Sequence, residues 1–318
     1  MAMKSNLEYW QISLENPEPE KDDFYFFDEI IVKDPDFIQK VERLRELIIT
    51  YCVISEKGES SEEIFNEIYD ILIATENIQY TEFVAFWKVF DVSFSVFKNL
   101  SVEKKKEILK DLLKGYCERR SRLYDRLGYT NTTVQALYDS GASRKKGVAG
   151  VRKLVKLVKD ILGLRDSVKS INEFKNCNLA YFLPDSKDGK EIFNIFLKEF
   201  NIKFQFGKNH QNKKPDIVLK VFDQIFIIEA KHVKESGGAQ DKQISELIDF
   251  IKYSEKSSFV HYISFLDGVY FNKFIHAEDK VLVQRKEIEN ILFKNPNNFF
   301  VNTAGFVEIL KDIKATVK

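Results

Sequence analysis

The chain is short of cysteine, proline and histidine, has no long apolar run, and carries no net charge. Of its 318 residues three are Cys: Cys52, Cys117 and Cys177. They are odd in number and far apart, so neither a disulfide framework nor a thiolate zinc site is expected. Four scattered His argue against an imidazole metal centre. Six Pro and 13 Gly exclude a collagen-like or linker-rich chain. No apolar stretch reaches the roughly 18 residues that cross a bilayer, and the N-terminus has no signal-peptide core. A reducing cytoplasm is the expected compartment, with no membrane partner. What is plentiful is core-forming mass. Hydrophobic residues make up 44%, and 28 residues are Phe, which excludes a disordered chain.

The zero net charge hides an uneven distribution. Residues 1–100 carry 9 basic and 21 acidic side chains, whereas 116–159 carry 11 basic and 3 acidic. An acidic first third beside a basic middle points to a nucleic-acid surface in the middle.

The expected class is mixed α and β: a mostly helical N-terminal region over 1–165, then an α/β domain over 166–318. Apolar spacing predicts helices over Phe37–Val53 and Tyr80–Lys98, and another from Ser101 that stops before Gly115. Ser60 and Glu63 are placed for a capping box ahead of a further helix. Residues 116–164 hold the candidate DNA-recognition segment, with Arg119, Arg120, Arg122 and Arg126 at its start. Thr132–Ser140, capped by Thr130 or Asn131, is a candidate recognition helix, and Asn131 and Gln135 are residue types that read adenine. Arg144, Lys145 and Lys146 lie in an expected loop, Ser143–Gly150, that feeds a helix over Val151–Leu162. Such a loop presents free N–H groups and cations to phosphate. The bland alternative is an ordinary charged surface. Further on, Lys190–Phe200 reads as a helix, Ile202–Phe206 as a strand, and Gly207–Lys214 as a basic loop whose Lys213 and Lys214 are candidate DNA contacts.

The informative stretch runs from Lys214 to Lys231. Ile217–Phe222 and Ile225–Lys231 read as two strands joined at Asp223-Gln224. Such a turn opposes Val218 to Glu229 and Asp216 to Lys231, with Asp216, Glu229 and Lys231 on one face. Six other acid-x-Lys triplets occur in the chain. Only Glu229-Ala230-Lys231 ends a strongly apolar, β-like run and has a Pro-Asp opening another such run upstream. Two neighbouring carboxylates repel unless something compensates them. Lys231 compensates one charge, and a hard divalent cation compensates the pair. Mg²⁺, one or two ions, accepts carboxylate oxygens together with water and phosphate. The Ala230 carbonyl is a third candidate ligand. The alternative is a salt-bridged strand end.

Pro215-Asp216 followed by Glu229-Ala230-Lys231 resembles the PD-(D/E)xK nuclease superfamily, and within it the type II restriction endonucleases. The resemblance covers roughly residues 187–268. It implies a restriction-endonuclease-like core: a mixed sheet flanked by helices, in the order helix, strand, metal-binding hairpin, helix, strand. It implies Asp216 and Glu229 as metal ligands and Lys231 as the catalytic lysine. It further implies a Glu from the preceding helix, for which Glu191 matches better than Glu199. The Gly237-Gly238 turn and the Gln240 and Gln243 that follow are similar to segments of restriction enzymes that touch the DNA backbone; a helix-start role is the alternative for each Gln. His232 reads as a packing residue.

The implied activity is Mg²⁺-dependent, sequence-specific hydrolysis of double-stranded DNA to 5′-phosphate ends. The implied partners are a second copy of the chain, as a homodimer, and a DNA methyltransferase of the same system, in a bacterial cytoplasm. A repair or structure-selective nuclease and a catalytically inactive DNA-binding protein are the alternatives.

Overall fold

The computed structural model describes residues 3–317 apart from 27, 28, 121, 129, 130, 146 and 236. In chain order the helices are α1 (Asn6–Glu15), α2 (Pro35–Glu56), α3 (Glu62–Ala74), α4 (Glu82–Phe86), α5 (Phe94–Lys98), α6 (Val102–Arg120), α7 (Leu123–Leu127), α8 (Asn131–Lys145) and α9 (Gly147–Leu162). Then follow α10 (Ile171–Asn176), β1 (Leu179–Phe182), α11 (Gly189–Glu199), α12 (Gln205–Asn209), β2 (Ile217–Val221), β3 (Gln224–His232) and α13 (Gly238–Phe250). The chain ends with β4 (Val260–Asp267), α14 (Asp279–Lys294), β5 (Phe299–Val301) and α15 (Thr303–Val317). The class is mixed α and β, with a helical region and a five-stranded sheet. Among the described residues no helix is long and apolar enough to cross a membrane.

The chain divides into two units, but not at the expected boundary after residue 165. One unit is Phe27–Arg144; the other combines Met1–Phe26 with Lys145–Lys318. The reason is packing. Tyr9 and Trp10 of α1, and Leu154 and Val158 of α9, are buried among residues of the sheet domain. The basic middle is therefore divided between the two units.

The helical unit has its own core, built on Leu44, Ile48, Phe65, Ile68, Leu72, Trp87, Phe97, Leu109, Leu113 and Tyr116. A disulfide joins Cys52 of α2 to Cys117 of α6. The sequence predicts no disulfide framework; this single bond, across a separation of 65 residues, carries no spacing signal. It also removes the cysteine argument for a reducing compartment. The helix expected over Tyr80–Lys98 is broken into α4, a 3₁₀ turn at Trp87–Phe90, and α5, with Asp91 in the left-handed region at φ 57°. α6 runs through Gly115 rather than stopping before it. A Cβ there would lie 2.5 Å from the Phe90 ring, so this glycine serves close packing and not helix termination. The expected Ser60–Glu63 capping box is absent; Ser61 takes the cap position of α3 without a side-chain bond.

In the other unit the sheet order is β1-β2-β3-β4-β5. β1, β2 and β3 are antiparallel neighbours, while β3–β4 and β4–β5 are parallel. Alternate side chains feed two cores. Phe182, Val218, Ile225, Ile227, Tyr262, Leu266 and Phe300 pack with the α11–α14 layer. Tyr181, Leu219, Phe226, Ile228, Ile263, Phe265 and Phe299 pack with α9 and α15.

Two local expectations change here. Ile202–Phe206 is not a strand. Asn201 and Phe204 have left-handed φ values of 53° and 43°, so the backbone turns while Ile202, Phe204 and Phe206 are all buried. The extra strand of the hairpin sheet is β1, which precedes α11. The basic loop expected at Ser143–Gly150 is also replaced: helix extends to Lys145 and resumes at Gly147.

Candidate active site

The β2–β3 hairpin sets the site. Its turn is Phe222-Asp223, one residue earlier than expected, with Phe222 at φ 51°. Val221 pairs with Gln224, Val218 with Ile227, and Ile217 with Ile228. Moving the turn by one residue shifts every pair by two, so each side chain keeps its face. The three expected residues therefore stay together, although Asp216 meets the level of Glu229 and not that of Lys231. Asp216 N–H donates to the Ile228 carbonyl at 3.0 Å, and Ala230 N–H donates to Asp216 Oδ2 at 2.8 Å. β3 runs on past the end of the β2 ladder and stays paired with β4 as far as His232, so Glu229 and Lys231 project from a strand held by β4.

Glu229 is fully buried. Its Oε1 accepts from Lys213 Nζ at 2.5 Å and also from Lys231 Nζ. Lys213 also forms an ion pair with Glu246 of α13, whose Oε1 lies 3.6 Å from Lys231 Nζ. The result is a compact cluster of three carboxylates and two ammonium groups. Burial, followed by the Glu229 charge, pushes Asp216 up to about 7, against the pull of Lys231, the Ala230 amide and Lys213. Burial lowers the Lys213 pKa, and Lys231 repels it, although Glu229 attracts it. Burial also works against the Lys231 ammonium. The Glu229 charge and hydrogen bond outweigh it, so Lys231 stays above its ordinary value.

The donor set fits a hard divalent cation in one respect. Glu229 Oε2 is buried with no hydrogen-bond partner, an arrangement that costs about 1–3 kcal/mol or more if nothing fills it. Asp216, the Ala230 carbonyl and this oxygen are the atoms that would hold Mg²⁺. Among the described residues, however, no group of three or more acidic, His or Cys side chains is already arranged to hold a metal.

Several expected residues are placed differently. Glu191 is exposed in the first turn of α11, and no hydrogen bond or ion pair ties it to Asp216, Glu229 or Lys231. α11 is oriented by its apolar face, with Ile192, Phe193 and Phe196 buried. The carboxylate that does reach the cluster is Glu246, six residues after Gln240 in a helix whose Ile244, Leu247 and Ile248 are buried. No acid-x-Lys pattern marks it; only its position on the sheet-facing side of α13 does. Lys213 is drawn into the site instead of standing free for DNA. Lys214 is half-buried, its pKa lowered by burial. Gln240 folds back over its own helix start, where a Cβ on Gly237 would meet its Oε1 at 2.7 Å.

On the opposite face, His232 Nδ1 lies 3.0 Å from Asp267 Oδ2, and its ring stacks on Tyr25. Lys153 of α9 donates to Asp267 and Asp22, both at 2.6 Å. This basic residue of the middle segment is consumed in the interior. It helps fix the end of β3, one residue beyond Lys231.

In the helical unit Arg119, Arg120, Arg122 and Arg126 are all exposed. Arg119 and Arg120 lie over the Phe90 and Phe86 rings. Asn131 opens α8 and is half-buried. Gln135 does not stand ready to read a base. Its Oε1 accepts from Ile31 N–H at 3.1 Å, and its Nε2 donates to the Glu29 carbonyl at 2.9 Å and to Asp139 at 2.8 Å. The recognition helix expected over Thr132–Ser140 is the longer α8. Arg144 and Lys145 fall in its last turn, and Lys146 lies outside the described residues.

The chain matches no family model, no curated protein and no solved structure in the three comparisons made.

Proposed function

We propose that the sheet-bearing unit is a Mg²⁺-dependent endonuclease for double-stranded DNA, of the PD-(D/E)xK, type II restriction kind. The observation that carries this reading is the meeting of Asp216, Glu229 and Lys231 at one hairpin end, with a buried, unpartnered oxygen on Glu229. Asp216, Glu229 and the Ala230 carbonyl would hold the cation. When bound, the cation supplies a lowered water pKa and neutralises charge on the phosphate. Lys231, held as an ammonium by Glu229, orients the attacking water and stabilises the phosphate oxygens, while the water's proton leaves to solvent. The water oxygen bonds to phosphorus as the bond to the 3′ oxygen breaks, leaving a 5′-phosphate and a 3′-hydroxyl. Ala230 N–H keeps the Asp216 carboxylate aimed across the end of β2.

One such site cuts one strand, so double-strand cleavage calls for two copies related by a two-fold axis on a palindromic sequence. The exposed arginines at the end of α6 and in α7 are the DNA contacts of the helical unit. A methyltransferase of matching specificity, in the same bacterial cytoplasm, completes the proposal. Sequencing the ends of plasmid DNA digested in Mg²⁺ tests it. Discrete fragments with one terminal sequence are expected; structure-dependent nicks would instead indicate a repair-type nuclease.

A second reading is favoured by one feature. Glu229 already has two lysine partners, so the cluster also suits a catalytically silent DNA-binding protein with a salt-bridged strand end. Specific binding without cleavage in Mg²⁺, Mn²⁺ or Co²⁺ would select this alternative.

A further inference from the structure

The endonuclease reading leaves Lys213 unexplained. It sits deeper than a DNA contact needs to, and it touches both acids that face Lys231. We propose that Lys213 is the internal counter-ion of the metal-free site, exchanged for the divalent cation on loading and released to a DNA phosphate. This inference rests on the endonuclease reading and adds a coupling between metal and DNA.

Lys213 and Lys231 share one oxygen of Glu229, but they are anchored very differently. Lys231 belongs to β3, where its backbone pairs with Leu266 in the β4 ladder. Lys213 belongs to the connection between α12 and β2, where Gln211 and Asn212 both have left-handed φ values, 54° and 59°. Its backbone is held by one turn bond, Lys213 N–H to the His210 carbonyl at 2.9 Å. The loop lysine is therefore the one that can leave.

The charges agree. Fully ionised, Asp216, Glu229 and Glu246 exceed Lys213 and Lys231 by one negative charge. A divalent cation added to all five groups reverses that sign, whereas a cation that replaces Lys213 leaves the cluster neutral. Departure of Lys213 also frees Glu246, the carboxylate absent from the expected site. A phosphate arriving at the cation then supplies a new anionic partner for the released ammonium.

Mn²⁺ binding to the full-length protein, read by electron paramagnetic resonance, tests the exchange. Lys213→Met should bind Mn²⁺ about tenfold more tightly than wild type, within the usual range for coupled sites. Lys213→Arg, which keeps the charge, should not. Unchanged or weaker Mn²⁺ binding by Lys213→Met, or tightening in both variants, overturns the exchange. No Mn²⁺ binding by any of the three proteins at millimolar concentration removes the endonuclease reading itself.

A wild-type measurement covers poor folding of the variants. Reductive methylation followed by mass spectrometry should find Lys213 protected without metal and reactive with Ca²⁺, while Lys231 stays protected in both. Equal protection of Lys213 in both conditions contradicts release. The phosphate interaction has its own readout. In Ca²⁺ the log–log salt slope of DNA binding should be shallower by about 0.9 in Lys213→Met, with no difference in the absence of metal. Equal slopes in Ca²⁺ rule that interaction out.

Discussion

Ala230 N–H donates to the Asp216 carboxylate at 2.8 Å, just beyond the last paired residues of β2 and β3. A side chain here takes over a bond that the backbone ladder would otherwise continue to make. The β2 chain enters from Pro215, which has no N–H to offer. The proposed acid is thereby fixed to the strand that carries Glu229 and Lys231.

That fixation has a pH consequence. Asp216 is raised to about 7 by burial and by Glu229, whereas a free aspartate titrates near 4. The folded state holds its proton more tightly than the unfolded chain. The stability this provides is fully present below about pH 4 and is lost as pH rises, until it levels off above about 7. The slope over that window is about 1.4 kcal/mol per pH unit. Asp216→Asn keeps an acceptor for Ala230 and removes the titration. Metal-free Asp216→Asn should therefore melt above wild type at pH 8, with the gap shrinking by pH 5. Equal melting temperatures at both values would mean that Asp216 is not held in this way.

The same proton competes with cations. Below pH 7 Mn²⁺ affinity should fall by up to about tenfold per pH unit, because the ligand must be deprotonated. Titrations at pH 6, 7 and 8 check this, and an affinity independent of pH would remove Asp216 from the ligand set.

The Cys52–Cys117 bond closes a long loop within the helical unit. Loop entropy alone gives about 4 kcal/mol of stabilisation for a closure of this length. Urea unfolding with and without reductant should therefore lower the midpoint of the helical unit on reduction. The sheet-bearing unit, whose Cys177 is free, should be unaffected. A reductant-insensitive midpoint would show that the bond contributes nothing.

Arg119, Arg120 and Arg122 together are expected to neutralise DNA phosphates. Replacing all three with uncharged residues should weaken DNA binding and flatten its salt dependence by about 0.9 for each phosphate no longer neutralised. Gln135→Ala is the contrast, since its amide is spent on Ile31, Glu29 and Asp139. It should lower stability by about 1 kcal/mol and leave sequence preference unchanged. A change of preference in Gln135→Ala would place that residue at a base.

The hairpin is legible in the sequence because period-two alternation survives an error in the turn. Placing it at Asp223-Gln224 instead of Phe222-Asp223 leaves every face intact. Phe222 conceals the true turn, since a bulky residue is a poor guide to a left-handed position. The helical core is legible as well, from apolar spacing at Val41, Leu44 and Ile48. What stays hidden depends on residues that meet from distant parts of the chain. Cys52 and Cys117 meet across 65 residues. α1 joins the sheet-bearing unit through Tyr9 and Trp10. Glu246 reaches the cluster only through the packing of α13, and Lys213 only through the turn after α12. Glu191 is suggested by its place in the chain alone, which cannot tell which side of α11 faces the hairpin.

Supercoiled plasmid incubated in Mg²⁺ with wild type and with Lys231→Ala, with DNA binding measured in parallel, tests the central claim most directly. Under the proposed function, Lys231 serves chemistry more than affinity. Wild type should give discrete fragments with 5′-phosphate ends, while the variant should bind DNA as well and cut at least about 100-fold more slowly. Equal cutting by the two proteins, or no cutting by wild type in any divalent metal, would contradict the account.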